Sequence, residues 1–155
     1  MKEVKFYILV NSDGFNEFDK RVDANLIADF RLKVKAYPMN KGTFFRERIK
    51  NNDKFIFYIA GKSHFKHSIY AYGKIGNTIP EGDYNEDEIH IGNPVSRAVR
   101  LKSCKKFVNI RSLKDIKENL RFIKDKKFWG RYIQGGITQI SEEEYEFILA
   151  YALSK

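Results

Sequence analysis

The sequence is poor in cysteine, the residue that most often cross-links small proteins. Cys104 is the single cysteine among 155 residues, so no disulfide can form within the chain. This usage is typical of the reducing cytoplasm, and we expect a cytoplasmic protein without a stabilising cross-link. The thiol stands among lysines, which predicts a lowered pKa. Two interpretations stay open for it, a nucleophile and an ordinary, partly buried thiol.

Long apolar segments are also missing. The only long apolar run near the N-terminus, Phe6–Val10, is too short for a signal peptide or a membrane span. Apolar residues nevertheless make up 43% of the chain and are spread along it, which excludes a disordered protein. The length suffices to bury a core, and we expect residues 1–155 to form a single domain.

The sequence motifs of common enzymes are absent as well. No P-loop, no G-x-G-x-x-G and no G-x-S-x-G occurs. His64 and His67 lack the surrounding pattern of a zinc site, and the acidic run Glu142–Glu144 fits the start of a helix. We therefore expect a binding module rather than an enzyme, with no catalytic residues, no metal and no cofactor.

Positive charge is present and is concentrated in one part of the chain. The segment from Arg97 to Arg131 contains thirteen basic and three acidic residues, a net charge of +10. The whole chain has a net charge of +9, so the residues outside this segment sum to −1. Such asymmetry predicts a cationic face that binds a polyanion, most commonly nucleic acid. A lysine-rich solvated surface without a partner is the alternative interpretation.

The pattern of apolar residues predicts more strands than helices. No strand–helix–strand alternation appears, so we expect a small, mostly antiparallel β-barrel with flanking helices, of the α+β class. Helices are predicted over Phe15–Phe30, Thr43–Lys50, from Ser112 onward, and after a capping box at Ser141–Glu144. Strands are predicted over Lys5–Val10, Leu32–Tyr37, Lys54–Ala60, Ser68–Ile75, Glu88–Ile91 and Val95–Phe107, with a loop over Gly76–Glu88.

Aromatic residues form 15% of the chain, and some stand where a core residue is not expected. Phe15 follows a turn, Tyr37 precedes a proline, and Trp129 lies between lysines and glycines. Aromatic rings beside turns and basic residues are what the stacking of an unpaired base requires.

Motifs near the C-terminus resemble a known family. Residues 119–130 read Asn-Leu-Arg-Phe-Ile-Lys-Asp-Lys-Lys-Phe-Trp-Gly, Gly135 follows, and residues 140–145 read Ile-Ser-Glu-Glu-Glu-Tyr. This order of motifs resembles the EVE domain family, a member of the PUA-like superfamily related to YTH domains. Residues 52–58 resemble a strand of this family that begins with Gly-Asp, and Asn52 stands in place of the Gly. Near the N-terminus the family has an Asn followed by a Trp, and here Asn11 is followed by Phe15 in place of the Trp.

The resemblance implies a PUA-like, twisted, mostly antiparallel barrel with flanking helices and an aromatic-lined cleft. Relatives of this kind bind modified bases in DNA or RNA, and some are the specificity domain of modification-dependent restriction systems that include a nucleotide-hydrolysing motor. We therefore expect a nucleic-acid partner and no membrane. The chain contains no motor motif, so both a stand-alone protein and a reader domain with a fused or associated motor or nuclease stay open.

We predict that a base, extruded from its stack, is held by an aromatic cage and read by neighbouring polar groups. Trp129 has an alternative interpretation as an apolar anchor for the last helix, and Asn11 has one as an Asx-turn that shapes its loop. Protein interaction and small-molecule or nucleotide sensing stay open as other functions. The predicted base contacts are Asn11, Ser12, Phe15, Tyr37, Tyr70, Trp129, Gln134 and Gly135, and the predicted phosphate contacts are Arg97, Arg100, Lys102, Lys105, Lys106, Lys124, Lys126, Lys127 and Arg131.

Overall fold

The computed structural model of the protein describes residues 3–15, 18–39, 48–80, 97–133 and 136–154. Two 3₁₀ helices, Leu113–Asn119 and Trp129–Tyr132, add to the regular elements. Those elements, in chain order, are β1 (Phe6–Asn11), β2 (Gly14–Phe15), β3 (Arg21–Val22), α1 (Ala24–Val34), β4 (Ala36–Met39), β5 (Lys54–Ile59), β6 (Ser68–Ile79), β7 (Arg97–Ser112), β8 (Ile137–Ile140) and α2 (Glu142–Leu153).

Six strands form one mixed sheet in the order β4-β7-β6-β5-β1-β8. The central neighbours β1 and β5 run parallel, and each of the other four pairs is antiparallel. The sheet curls into a half-barrel with helices against it. Strands β2 and β3 form a separate small hairpin between β1 and α1.

Strand β1 separates two apolar cores because successive side chains of a strand point to opposite faces. Phe6, Ile8 and Val10 belong to a first core, which also contains the buried apolar residues of α2. Tyr7 and Leu9 belong to a second core, which also contains buried alanines of α1. The continuous apolar run at β1 therefore reflects a central strand that is covered on both faces.

Several sequence predictions are confirmed. The strands predicted over Lys5–Val10, Lys54–Ala60 and Ser68–Ile75 correspond to β1, β5 and β6 within a few residues. The capping box is present, because the Ser141 hydroxyl accepts a hydrogen bond from the Glu144 amide and the Glu144 carboxylate accepts one from the Ser141 amide.

The helix predicted over Phe15–Phe30 is wrong in its bounds. Gly14–Phe15 and Arg21–Val22 form the β2–β3 hairpin, and α1 begins only at Ala24 and ends at Val34. The predicted strand Leu32–Tyr37 is consequently displaced, and β4 continues through Pro38. Proline is tolerated there because β4 lies at the edge of the sheet, where a missing amide hydrogen leaves no partner strand unsatisfied.

Other predictions are altered by the longer strands. Strand β6 extends to Ile79, so the predicted loop beginning at Gly76 starts later, and strand β8 was not predicted. Ser112 caps a helix as predicted, but the helix is a 3₁₀ helix that ends at Asn119. The predicted strand Glu88–Ile91 and most of the predicted turn Thr43–Lys50 lie outside the described residues.

Among the described residues, no helix is both long enough and apolar enough to cross a membrane.

Candidate functional site

The predicted polar contacts near the N-terminus lie where the two parallel strands end. Asn11, the last residue of β1, pairs with Ile59, the last residue of β5. Through the antiparallel pairs, the beginning of β6 at Ile69 and the end of β7 at Arg111 lie at the same edge of the sheet. We call this end of the sheet the carboxyl edge. The loops that follow β1 and β5 both leave from it.

Asp13 joins these loops to the first helix. Its carboxylate accepts a hydrogen bond from the Ala24 amide at 2.9 Å and one from the Lys62 amide at 3.0 Å. Gly61 adopts a φ of +90°, and a Cβ at this position would lie 2.5 Å from the Asp13 carboxylate. Only glycine fits here, because both the backbone conformation and the close carboxylate exclude a side chain. No local motif in the sequence marks Asp13 for this role, because Lys62 is remote from it along the chain.

A buried polar network lies directly beneath the carboxyl edge. Asn11 is fully buried, and its carboxamide oxygen accepts a hydrogen bond from Arg31 at 2.8 Å. The Arg31 guanidinium lies 5.0 Å from the centre of the Tyr37 ring. The Tyr37 hydroxyl donates to the Val10 carbonyl at 2.6 Å and lies 3.0 Å from the carbonyl of Gly136. The network therefore fixes the end of β1 against the segment that precedes β8.

Asn11 and Tyr37, both predicted base contacts, lie close together, and their side chains point into this network. Tyr37 is 3% exposed, so its ring is part of the second core. Ser12 is exposed at the start of the loop that follows β1. Gln134 and Gly135 lie outside the described residues, although the neighbouring Gly136 is placed by its contact with Tyr37.

Phe15 is the predicted cage residue that has an exposed ring. It is 50% exposed on β2 and lies opposite Arg21 in the β2–β3 hairpin. Phe18, in the turn of the same hairpin, is 73% exposed. Arg21 lies 3.8 Å from the Asp13 carboxylate, which ties the hairpin to the carboxyl edge. The hairpin therefore presents aromatic surface, while the charge of Arg21 is balanced by Asp13 and by Asp23 at 2.8 Å.

Trp129 requires a correction of the predicted cage. It is 8% exposed and belongs to the first core together with Tyr145 of α2. Its ring meets the edge of the His67 ring at a centroid distance of 4.9 Å. Tyr37 and Tyr70 belong to the second core on the other face of the sheet. A single slot walled by Trp129 and these two tyrosines does not form, because the sheet stands between the rings.

Tyr70 is held by charged neighbours instead of facing an open space. Its hydroxyl donates to the Asp29 carboxylate at 2.7 Å, and the Lys106 ammonium lies 4.6 Å from the centre of its ring. Lys106 also pairs with Asp29 at 3.2 Å. A side-chain hydrogen bond to Tyr70 raises the pKa of Lys106. Burial raises the pKa of the Tyr70 hydroxyl. Lys106 is thus a cation of fixed position.

The predicted phosphate contacts fall into three groups. Arg97, Arg100 and Lys102 lie toward the start of β7, where the Lys102 ammonium binds Asn51 and Asn52 near the opposite end of the sheet. A second group, Lys105 and Lys106, lies toward the carboxyl edge, and a third group surrounds Trp129. The third group consists of Lys124, Lys126, Lys127 and Arg131.

These groups differ in how tightly the protein holds them. The Lys126 ammonium donates to the carbonyls of Leu120 and Ile123 at 2.7 and 2.5 Å, so its charge supports the local backbone. Lys124, Lys127 and Arg131 are exposed, as are Arg100 and Lys105 on β7. The predicted phosphate contacts therefore do not lie together: Arg100 is toward the far end of the sheet, whereas Lys105 and the exposed cations next to Trp129 are toward the carboxyl edge.

Two cations of the β5–β6 loop were missed because they lie outside the basic segment of the sequence. Lys62 and Lys66 are exposed on this loop, at the carboxyl edge. His67 ends the loop with a φ of +69°, and its Nδ1 lies 2.9 Å from the Tyr58 hydroxyl. Burial lowers the pKa of His67, with further contributions from Lys66 and Lys114. The loop is thus cationic without requiring a charged histidine.

Cys104 does not behave as its lysine neighbours suggested. Burial raises the pKa of its thiol, and this effect exceeds the lowering by Lys35. The expectation of a lowered pKa is therefore wrong. Within the described ranges, no group of three or more His, Cys, Asp or Glu side chains is arranged to hold a metal ion.

A cavity of about 630 Å³ lies at the opposite end of the parallel pair from the carboxyl edge. Its lining contains the basic residues Lys5, Arg48 and Lys50 and the acidic residues Glu3 and Asp53, and Glu3 pairs with Lys5 at 3.0 Å. Tyr7 also lies in its wall. Burial, followed by the charge of Asp53, raises the pKa of Tyr7 to about 12, so its phenol stays protonated. The cavity is within the size range of small-molecule sites.

Comparisons with known proteins agree on the fold. A family model described as the EVE domain matches residues 34–151. Human THYN1 in complex with 5-methylcytosine-containing DNA is similar in structure, with 15% identity, a TM-score of 0.63 and coverage of 97% of this chain and 99% of the other.

Two prokaryotic structures are similar as well. A protein of Pseudomonas putida has 12% identity and a TM-score of 0.60, and the match covers 96% of this chain and 99% of the P. putida chain. The N-terminal domain of Staphylothermus marinus McrB has 12% identity and a TM-score of 0.51, and the match covers 97% of this chain and 98% of that domain. No curated protein matches the sequence. The predicted α+β, PUA-like fold with flanking helices is confirmed, with a half-barrel as its sheet.

Proposed function

Because the chain belongs to the EVE domain family, we propose that it is a nucleic-acid-binding module that holds one extruded base at the carboxyl edge. The observation that carries this proposal is the combination found there: exposed aromatic rings on the β2–β3 hairpin, fixed polar loops and exposed cations. Aromatic faces stack on unpaired bases, polar groups read base edges, and cations neutralise phosphates.

Phe15 is the proposed stacking residue. Its ring is half exposed and stands beside the Arg21 guanidinium on the neighbouring strand. Stacking of one base on an aromatic ring contributes roughly 1–3 kcal/mol, which is of the same order as the cost of unstacking that base. Ser12 is the proposed hydrogen-bonding partner of the base, since its hydroxyl both donates and accepts.

The other predicted base contacts act as supports in this proposal. Asn11 and Tyr37 hold the end of β1 and the backbone at Gly136 in place, so the loop that contains Ser12 starts from a rigid base. Gln134 and Gly135 adjoin this point in sequence and remain proposed contacts. Trp129 and Tyr70 are proposed to stabilise the two cores that carry the site.

The exposed cations are proposed to position the nucleic-acid backbone. Contacts of this kind orient the ligand but do not distinguish sequences, and each one adds to the dependence of affinity on salt. The proposed set comprises Lys62 and Lys66 from the β5–β6 loop with Lys105, Lys106, Lys124, Lys127 and Arg131. Arg97, Arg100 and Lys102 stay outside this set, because they lie toward the far end of the sheet.

We propose that the base is modified, and 5-methylcytosine in DNA is the first candidate. The similar structure of human THYN1 contains DNA with that base. We also propose an associated motor or nuclease, because the N-terminal domain of an McrB protein has the same fold. In that arrangement this chain supplies recognition and has no catalytic function of its own.

The test is a binding panel of fluorescent oligonucleotides, plain and modified, DNA and RNA, at two salt concentrations. We expect a preference for one modified base and weaker binding at the higher salt. Phe15→Ala should weaken binding by roughly ten- to hundredfold if one stacking contact is lost. Phe147→Ala is the matched control, since Phe147 is 40% exposed on α2. No binding to any oligonucleotide, or equal losses in both variants, would contradict the proposal.

A second candidate function, small-molecule or nucleotide sensing, is favoured by the cavity at the other end of the sheet. Lys50 lines that cavity, whereas Lys62 lies at the carboxyl edge, and both are exposed. The two functions are separated by calorimetry on the variants Lys50→Gln and Lys62→Gln. Each variant is titrated with an oligonucleotide and, separately, with free nucleosides and nucleotides. A reader loses oligonucleotide affinity mainly with Lys62→Gln. A sensor binds the free compound and loses it with Lys50→Gln.

A further inference from the structure

Strand β7 protrudes from the sheet close to the carboxyl edge. Ile69 pairs with Arg111 and Ala71 with Lys106, so four residues of β7 stand against one residue of β6. The three residues at the tip, 108–110, are all exposed. Val108 is 96% exposed, which is unusual for a β-branched apolar residue in a strand. We call residues 108–110 the β7 tip.

The protein holds both sides of the β7 tip firmly. On one side Phe107 is buried in the first core and stacks on Tyr72 with ring centroids 4.9 Å apart. On the other side the Arg111 guanidinium donates to the Ser154 carbonyl at 2.6 Å and lies over the Tyr151 ring. The tip is therefore a supported projection, and an apolar side chain on it has a defined direction.

Basic residues flank the β7 tip in the sequence. Lys105 and Lys106 precede it and Arg111 follows it, and residues 105–111 contain no acidic side chain. The ammonium of Lys106 is fixed by Asp29 and by the ring of Tyr70. An apolar projection between cations fits the charge and the apolar interior of a base stack, where phosphates flank stacked rings.

The β7 tip and the proposed base site lie at the same end of the sheet. Strands β1 and β7 are separated by β5 and β6, which at about 4.8 Å per strand gives roughly 14 Å along the curved sheet from the tip to the end of β1, and a shorter direct distance. That separation is comparable with the roughly 12 Å width of the major groove of DNA. A duplex bound along the carboxyl edge is therefore able to contact both features.

We propose that the β7 tip is a wedge that enters a duplex and occupies the gap left by the extruded base, with Val108 as the inserted side chain. This inference rests on the proposed function and adds to it that the ligand is double-stranded. Apolar side chains inserted between base steps are an established way in which proteins unstack and kink duplexes. The flanking cations then meet the phosphates on either side of the opened step.

The test compares three DNA ligands that contain 5-methylcytosine: a duplex with the base paired to guanine, a duplex with it opposite an abasic site, and the single strand. We expect Val108→Ala to weaken binding to the paired duplex about tenfold, the equivalent of about 1.4 kcal/mol. We expect a change of less than about twofold for the single strand and the abasic duplex, because neither requires a base pair to be opened. Val34→Ala, at an exposed valine of α1, is the matched control.

Each outcome has one meaning. If the wild-type protein binds none of these ligands, the proposed function fails before the wedge is tested. If it binds them and Val108→Ala changes all three equally or none, the wedge is wrong while base recognition stands. If Val108→Ala instead abolishes binding to anionic phosphatidylserine vesicles and leaves the duplex unaffected, the tip is a membrane contact and the wedge is likewise wrong.

Discussion

Replacement of Trp129 by alanine distinguishes a core residue from the wall of a binding slot. Trp129 is 8% exposed and packs in the first core with Tyr145 and Ile148 of α2, and its ring also touches His67. The substitution removes the indole from this core and leaves a cavity between the 3₁₀ helix and the sheet. A slot residue would instead leave stability nearly unchanged and abolish binding.

The magnitude follows from the burial. A Trp→Ala change at a buried position costs about 3–5 kcal/mol, because transfer free energy is lost and the surroundings collapse only in part. Domains of this size have a free energy of unfolding of about 5–15 kcal/mol, so the variant retains a reduced but measurable stability. With a urea m-value of about 2 kcal/mol/M, the midpoint should fall by about 2 M.

The assay is urea unfolding followed by far-UV circular dichroism, since Trp129 is the single tryptophan and its fluorescence is lost in the variant. Phe128→Ala serves as the control, because Phe128 is the neighbouring residue and is 45% exposed. We expect a change below about 1 kcal/mol in the control. The reasoning is refuted if Trp129→Ala unfolds like the wild-type protein and only its oligonucleotide binding is lost.

Three further changes test the carboxyl edge and its loops. Gly61→Ala forces a Cβ onto the Asp13 carboxylate at a φ of +90°, and it should destabilise the protein by about 1–3 kcal/mol in urea unfolding. Tyr37→Phe removes the donor to the Val10 carbonyl and should cost about 1–3 kcal/mol in the same assay, with a wild-type-like spectrum. Burial and neighbouring lysines lower the pKa of His67 in the folded protein. Just below about pH 6.5 the unfolded state therefore binds more protons than the folded state, so the free energy of unfolding should fall as the pH falls through that range. His67→Asn, which tolerates the φ of +69°, should flatten this dependence, and an unchanged pH profile would contradict it.

Local signals in the sequence predicted the central strands and the helix ends well. The β5 strand and the capping box at Ser141 each depend on residues that are adjacent in sequence, and both are present. The β2–β3 hairpin was missed because Phe15 and Phe18 are spaced as in a helix, while the structure of this segment depends on Asp13 and its distant partner Lys62. Such long-range hydrogen bonds leave no trace in a periodic pattern.

The candidate site was predicted in part for the same reason. The sequence grouped Asn11, Tyr37 and Gly135 as base contacts. In the structure Arg31 contacts both Asn11 and the Tyr37 ring, and the Tyr37 hydroxyl bonds to Val10 and to Gly136, the neighbour of Gly135. Nothing in the sequence indicated which face of the sheet each aromatic ring occupies, so Trp129 was grouped with rings on the other face. Charge counting likewise identified the basic segment but not Lys62, because neighbours across the sheet are remote in sequence.

The most direct test of base recognition at the carboxyl edge is the mapping of amide chemical-shift changes in the ¹⁵N-labelled protein on addition of the preferred oligonucleotide. We expect the largest changes at Ser12, Phe15 and Lys62, with little change at Lys50 and Asn52 beside the cavity. Changes confined to the cavity end, or no changes at the carboxyl edge under conditions of saturated binding, would contradict the proposed site.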